Sequence, residues 1–286
     1  MFYLVSAIVS SSMIMILFKI FLRFKVDYFQ AIIINYIFAF SVGLVNSPKA
    51  YSISQVLSSN WVFAAVPLGI LFFSTLLLYA SATKAVGVAL TTVCSRTALI
   101  VPVSCSFIFF GEHPTPQKIA AIVMILASLP LIFIDKKNEK KKDFLSILPL
   151  IGLFACTATI DSSIKMSQHF LIGSKEEYSL FVCTIFLSSL AFGLTVLALT
   201  SKLAKMKISW RNIAAGLTLG IFNFYASYSV LNALSHLDAT IVYPIMYPSI
   251  VVLTTLVGVY IFDERLTRKK VAGIAVALAA IVMLTA

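Results

Sequence analysis

The sequence predicts an all-α integral membrane protein with ten transmembrane helices arranged as two inverted five-helix repeats. Three observations support this prediction: the composition, the alternation of apolar runs with short polar breaks, and an internal repeat. Of the 286 residues, 60% are hydrophobic and only 12% are charged, and the mean hydropathy is +1.00. Soluble domains carry about 25% charged residues, so the composition excludes an ordinary soluble fold.

The apolar runs are long enough to cross a bilayer. A hydrocarbon core about 30 Å thick requires about 20 mostly apolar residues per helix. Ten runs meet or approach this length, and they cover residues 2–22, 28–46, 61–83, 86–110, 117–134, 144–165, 177–200, 211–234, 239–262 and 269–285. The first run lacks a positively charged start and a cleavage site, so we expect a retained helix and not a signal peptide.

The basic residues predict the orientation of the spans. The breaks after the odd-numbered spans hold about sixteen Lys and Arg residues, whereas the opposite side, which includes both termini, holds about four. Because Lys and Arg collect on the cytoplasmic side, both termini are predicted to lie outside the cell membrane. The net charge of +11 comes from these short clusters, which orient helices in a lipid bilayer and do not indicate a nucleic-acid partner.

An internal repeat appears when the sequence is shifted by 152 residues. FFGEHPTPQKIAAIVMILA, residues 109–127, then overlays IFDERLTRKKVAGIAVALA, residues 261–279. We therefore predict a first repeat over residues 1–135, a basic cytoplasmic linker over 136–143, which could also bind anionic lipid, and a second repeat over 144–286. Five spans per repeat place the second repeat in the opposite sense, as in secondary transporters that bind solute near the midplane.

The two repeats, the FGE and FDE motifs after spans four and nine, and lysines at the ends of spans one and six resemble the EamA branch of the drug/metabolite transporter superfamily. The resemblance covers nearly the whole chain. It implies a secondary, non-ATP transporter that moves a small polar or amphipathic metabolite by alternating access, such as an amino acid or another carboxylate-bearing solute. Members of this family usually keep both termini in the cytoplasm, opposite to the orientation that the charges predict here.

Arg96 and Asp161 are the charged candidates for solute binding. The resemblance implies a proline in the middle of spans four and nine; span nine keeps Pro248, but Arg96 occupies the position 152 residues earlier. A central arginine costs roughly 2.5–3.5 kcal/mol on insertion scales and normally faces a bundle interior or a cavity. Arg96 either pairs with Asp161 or binds an anionic group of the substrate. Asp161 either pairs with Lys165, one helical turn later, or accepts a proton or an amine.

Six further candidates are aromatic or amide side chains in spans eight and nine: Asn223, Tyr225, Tyr228, Asn232, Tyr243 and Tyr247. Such stripes often only pack, but buried phenols and amides need hydrogen-bond partners, which a solute could supply. A proline follows each of the two span-nine tyrosines. This pattern predicts either a simple kink or a broken helix that exposes carbonyl groups.

Glu112 and Glu264 are predicted to be structural, because each lies just before a helix start. Thr115 and Thr267 are the expected N-cap residues of the helices that follow.

The remaining sequence offers no sign of enzymatic or nucleotide chemistry. It contains no phosphate-binding loop, no nucleophile elbow and no HExxH motif, and its four cysteines form no CxxC pair, so we expect no cofactor and no metal. The alternatives are an integral-membrane enzyme acting on a lipid-linked substrate, and a non-transporting membrane sensor or assembly subunit. Two fused repeats could form a complete pathway in a monomer, although an oligomer stays open.

Overall fold

The computed structural model describes residues 1–47, 53–86, 88–133, 144–200, 209–262 and 267–285. All regular elements in these ranges are helical. The α-helices are α1 Phe2–Arg23, α2 Tyr28–Asn46, α3 Ile53–Ser58, α4 Val62–Val86, α5 Val88–Thr97, α6 Ile100–Phe109, α7 Pro116–Phe133, α8 Phe144–Met166, α9 Glu177–Leu199, α10 Trp210–Leu234, α11 Ala239–Phe262 and α12 Arg268–Thr285. A π-helical turn, Ser167–Leu171, continues α8.

The predicted all-helical membrane fold is confirmed for the described residues. Eight segments are long and apolar enough to cross a membrane, and a shorter apolar helix covers Pro116–Leu131. Each of the ten predicted runs coincides with helix, with ends that differ by a few residues. The number of ten spans and their inverted arrangement stay predictions.

Span four differs from the single continuous run expected over residues 86–110. Two ten-residue helices, α5 and α6, are separated by a turn at Ala98 and Leu99. Pro102 accounts for this break, since proline has no N–H and its ring clashes with the carbonyl group four residues earlier, here that of Ala98. In contrast, α11 stays helical through Pro244 and Pro248, so the interpretation of span nine as a broken helix is wrong.

The chain divides into two compact units, each built from both halves of the sequence. Unit 1 contains Met1–Leu77 and Ser163–Ser235, and unit 2 contains Leu78–Ser162 and His236–Ala286. In unit 1, α10 packs against α1, α2 and α9, and α2 packs against α9. In unit 2, α7 packs against α12 and α5, and α11 contacts α6, α7 and α12.

The crossing of α10 and α2 in unit 1 depends on glycine. A Cβ atom added at Gly220 would lie 2.6 Å from the carbonyl oxygen of Asn35 and 3.0 Å from the amide nitrogen of Ala39. One turn earlier, a Cβ at Gly216 would lie 2.8 Å from the Ala31 carbonyl oxygen. Glycines spaced four apart allow two membrane helices to approach backbone to backbone, so this crossing tolerates no larger residue without movement of the helices.

The crossing of α4 and α9, also in unit 1, has the same contacts. A Cβ atom added at Gly69 would lie 2.6 Å from the carbonyl oxygen of Ile185 and 2.8 Å from the amide nitrogen of Ser189. The Ser189 hydroxyl also donates to the Gly69 carbonyl oxygen at 2.8 Å. These three residues lie 150 or 151 positions away in the sequence from their counterparts in α2 and α10. The two crossings therefore repeat each other with the sequence halves exchanged.

Two contacts between a glycine and a phenylalanine ring are also related to each other by exchanging the two halves of the sequence. A Cβ atom at Gly43 in α2 would lie 3.0 Å from the ring of Phe224 in α10, and one at Gly193 in α9 would lie 2.6 Å from the ring of Phe73 in α4. The glycines are 150 residues apart and the phenylalanines 151. The two contacts are therefore separated in sequence by the same distance as the two helix crossings.

Glu112 joins the end of α6 to the start of α11 within unit 2. Gly111 has a φ of 65°, a left-handed conformation that glycine adopts without steric cost, and it turns the chain after α6. The buried Glu112 carboxylate then accepts hydrogen bonds from the amide groups of Ala239 and Thr240, both at 3.0 Å. A carboxylate is stabilised at a helix N-terminus, which agrees with the structural role predicted for Glu112. Its counterpart Glu264 lies outside the described residues.

The two predicted N-caps are confirmed. The Thr115 hydroxyl accepts from the Lys118 amide at 3.2 Å, and the Thr267 hydroxyl accepts from the Lys270 amide at 3.3 Å. Each satisfies one of the amide groups that have no partner inside the first turn of a helix. The helices α7 and α12 therefore begin with the same kind of cap.

Candidate functional site

Arg96 lies in the last turn of α5, beside the break in span four. Only 8% of its surface is exposed. Its guanidinium carbon lies 4.8 Å from the ring centroid of Tyr247, within the distance for a cation–π contact. The Arg96 Nε atom is buried and has no hydrogen-bond partner among the described residues. The guanidinium therefore keeps unused capacity to donate hydrogen bonds.

Asp161 lies on α8 and contacts two tyrosines of α11. The Tyr247 hydroxyl donates to the Asp161 carboxylate, and the Tyr243 hydroxyl donates to the Asp161 backbone carbonyl oxygen at 2.7 Å. Asp161 is 8% exposed, and the two tyrosines are 3% and 0% exposed. Because the tyrosines are spaced i, i+4, they lie on the same face of α11. We call Arg96, Asp161, Tyr243 and Tyr247 the Arg96 cluster; all four belong to unit 2.

The two opposite charges of the Arg96 cluster are linked through Tyr247. Within the part of the chain that the structure describes, no ion pair of 4.0 Å or less joins Arg96 to Asp161. Tyr247 contacts both, Arg96 through its ring and Asp161 through its hydroxyl. Lys165, the other partner considered for Asp161, donates from Nζ to the Leu234 carbonyl oxygen at 3.3 Å. The cation in the cluster is thus close to the carboxylate without a direct salt bridge.

Two hydroxyl residues on α8 near Asp161 were not predicted from the sequence. Thr157 precedes Asp161 by one helical turn and lies on the same face, and Ser162 is the next residue. Both hydroxyl groups are buried and lack a hydrogen-bond partner among the described residues. Buried polar groups normally have a hydrogen-bond partner. The sequence signal for these two residues was TATIDSS, in which Thr157 lies four residues before Asp161 and Ser162 directly follows it.

The two asparagines predicted in span eight lie on α10, in unit 1, and have protein partners. The Asn223 side-chain amide donates to the side-chain oxygen of Asn35 at 3.2 Å. The Asn232 side-chain amide donates to the Tyr228 backbone carbonyl oxygen at 2.9 Å, within its own helix. The amide groups that the sequence suggested as solute ligands therefore already donate hydrogen bonds to protein atoms.

The two tyrosines predicted in span eight are less buried than those of span nine. Tyr228 stacks on Phe224 with 5.7 Å between ring centroids and meets Tyr3 edge to face at 6.4 Å. Tyr225 is 39% exposed. The structure thus brings four of the eight candidates together in the Arg96 cluster, while the four on α10 belong to the other unit. In the described ranges, no three His, Cys, Asp or Glu side chains are placed to hold a metal ion.

These helices and the buried charged cluster define a polytopic α-helical membrane protein. Residues 153–286 match the model of the EamA-like transporter family. This match lies within the second predicted repeat and, for these residues, confirms the resemblance to EamA-type drug/metabolite transporters.

Two known proteins are similar to the chain over nearly its whole length. An uncharacterized protein of Haemophilus influenzae is 25% identical over 289 aligned residues, which cover 97% of this chain and 95% of the relative. A protein of known crystal structure superimposes with a TM-score of 0.81 at 18% identity, covering 99% of this chain and 95% of the other. At that identity the superposition establishes a shared fold and not a shared substrate.

Proposed function

We propose that the protein is a secondary transporter that moves a small carboxylate-bearing solute by alternating access through a central cavity, without ATP hydrolysis and without enzymatic activity. The observation that carries this proposal is the buried guanidinium of Arg96, which has donor capacity left at Nε. Burial of a cation is costly unless it is paired and hydrogen-bonded, and charged residues inside membrane spans typically belong to solute or ion pathways.

The chemistry of the Arg96 cluster favours a carboxylate with an apolar part. Arginine binds carboxylates through two parallel hydrogen bonds, and the two α11 tyrosines provide aromatic faces with polar ends. The hydroxyls of Thr157 and Ser162, both without partners among the described residues, are further groups that could bind polar atoms of the solute. Binding by Asn223, Tyr225, Tyr228 and Asn232 stays a prediction.

The repeated crossings in unit 1 support the inverted-repeat plan. The crossing of α10 and α2 has the same backbone contacts as that of α4 and α9, and each pair joins one helix from each half of the sequence. An approximate two-fold relation between the halves would produce this pattern. Inverted repeats of this kind allow one half to rock against the other during transport. We therefore propose EamA-like repeats over residues 1–135 and 144–286.

Both termini are expected to lie outside the cell membrane. A reporter enzyme that is active only outside the cytoplasm is fused after Ala286, and its activity is measured. Fusions of the same reporter inside the basic linker, residues 136–143, are the opposite control. We expect activity from the C-terminal fusion and none from the linker fusion, because the basic breaks are retained in the cytoplasm. The reverse result would assign the protein the orientation usual in its family and overturn the charge argument.

Transport itself is tested with the purified chain in proteoliposomes. We first measure thermal unfolding with aliphatic carboxylates, benzoate and amino acids, each beside its neutral amide, because a ligand stabilises the state that it binds. Radiolabelled forms of the stabilising compounds are then tested for counterflow, which requires only exchange across the membrane. Saturable counterflow of a carboxylate, and not of its amide, is expected. Absence of stabilisation and of counterflow for every compound would contradict the proposed function.

A further inference from the structure

We infer that Asp161 is a proton-binding site whose protonation is linked to anion binding at Arg96, so that the solute anion and one proton cross the membrane together. The inference rests on the proposed function, because it specifies how the same site balances charge. The proton comes from water on the side where the solute enters, binds to the Asp161 carboxylate, and returns to water on the side where the solute leaves.

The charged groups nearest Asp161 on α8, α5 and the start of α11 are Lys165, Arg96 and Glu112. Among the described residues, Arg96 and Tyr247 act on its carboxylate, and Tyr243 contacts its backbone. Tyr79, on α4, lies within the electrostatic field of Arg96 and shares a hydrogen bond with Thr92. The buried charged side chains in the described ranges are two cations, Arg96 and Lys165, and two carboxylates, Asp161 and Glu112, so their charges sum to zero.

An anionic solute at Arg96 changes this balance. The cluster would then hold one cation and two carboxylates in surroundings from which water is largely excluded, since Arg96 and Asp161 are each 8% exposed. Coulomb interactions are strong at low dielectric constant, and a buried carboxylate without a counterion binds a proton instead of staying charged. Protonation of Asp161 restores neutrality, which also removes the cost of carrying a net charge through the bilayer.

Tyr247 is placed to link the two events. Its hydroxyl donates to the Asp161 carboxylate while its ring contacts the Arg96 guanidinium. Once Asp161 is protonated, its carboxyl group can itself donate a hydrogen bond, and the Tyr247 hydroxyl proton is released for a solute carboxylate bound beside Arg96. By reciprocity, protonation then raises solute affinity by the same factor by which solute raises proton affinity.

The link between Arg96 and Asp161 is tested first without any solute, by infrared difference spectroscopy of the purified protein at mildly alkaline pH. Arg96→Gln removes the cation, so we expect a protonated carboxyl band that the wild type lacks. The band should be absent from the double variant Arg96→Gln, Asp161→Asn and from Lys118→Gln, which removes a cation that pairs with Asp238 at 3.4 Å in the same unit. A spectrum of Arg96→Gln without the band, or a band that persists in the double variant, would overturn the inference.

A second measurement uses the protein with Arg96 intact, in case Arg96→Gln does not fold. Benzoate, with benzamide as the neutral control, is added to wild type in weak buffer at the same mildly alkaline pH, and proton uptake is recorded. We expect about one proton per bound benzoate, none for Asp161→Asn, and the wild-type value for Asp238→Asn. Benzoate binding without proton uptake would overturn the inference. Failure of the whole solute panel would overturn the proposed function instead, and the infrared result would still decide the link between Arg96 and Asp161.

Discussion

Replacement of Arg96 with alanine is expected to lower carboxylate counterflow in proteoliposomes by roughly 10- to 100-fold. Hydrogen bonds to charged groups contribute about 1.5–3 kcal/mol, and each 1.4 kcal/mol corresponds to about a tenfold change in binding. Arg96→Lys keeps the charge but loses the planar fork that matches a carboxylate, so its counterflow should lie between those of wild type and Arg96→Ala. The measurement is initial counterflow rate against solute concentration.

The matched control removes a cation that does not belong to the Arg96 cluster. Lys118 pairs with Asp238 near the surface, with 21% and 51% of the two side chains exposed, and such pairs contribute little to stability. Lys118→Ala should therefore transport like the wild type. Thermal unfolding in detergent must first show that Arg96→Ala is folded. Unchanged counterflow by a folded Arg96→Ala protein would remove Arg96 from the solute site.

Hydropathy and capping residues were sufficient to locate the long apolar helices, but they predicted neither the short helix α3 nor the break in span four. Each apolar run coincides with helix in the described residues, because a bilayer core leaves the backbone few alternatives to internal hydrogen bonding. Thr115 and Thr267 were predictable as caps since an N-cap hydroxyl bonds within its own first turn. Features that depend on contacts near in sequence could thus be predicted without the tertiary structure.

The effect of proline could not be predicted from sequence position alone. Pro244 and Pro248 are accommodated inside α11, whereas the helix of span four breaks before Pro102. A proline always removes one backbone hydrogen bond, but neighbouring helices decide whether the freed carbonyl group is satisfied. The break lies two residues after Arg96, whereas the sequence placed the broken helix in span nine.

The partners of the polar residues depended on tertiary packing. Asn223 forms a hydrogen bond with Asn35, which is 188 residues away in sequence. Asp161 forms one with Tyr247, which is 86 residues away. The sequence identified which groups need partners, because buried amides and carboxylates must be satisfied. It could not show that Asn223 has a partner on α2, or that Asn223 and the Arg96 cluster belong to different compact units.

Replacement of Gly69 or of Gly220 with alanine is expected to lower the free energy of unfolding by about 1–3 kcal/mol, the usual cost of overpacking. At both positions the added Cβ would lie 2.6 Å from a backbone carbonyl oxygen, so a whole helix must move and no side chain can rotate away. The two losses should be similar because the crossings repeat each other. Unfolding in detergent, followed by circular dichroism, measures both.

Gly152→Ala is the helical control for this pair. The new Cβ at Gly152 would approach only the Leu78 side chain, at 3.3 Å, and that flexible group can shift. Since alanine is preferred over glycine inside helices by about 0.5–1 kcal/mol, the control should be neutral or slightly stabilising. A large loss at Gly69 with none at Gly220 would show that the two crossings do not share one geometry. It would thereby remove the main structural support for the inverted repeat.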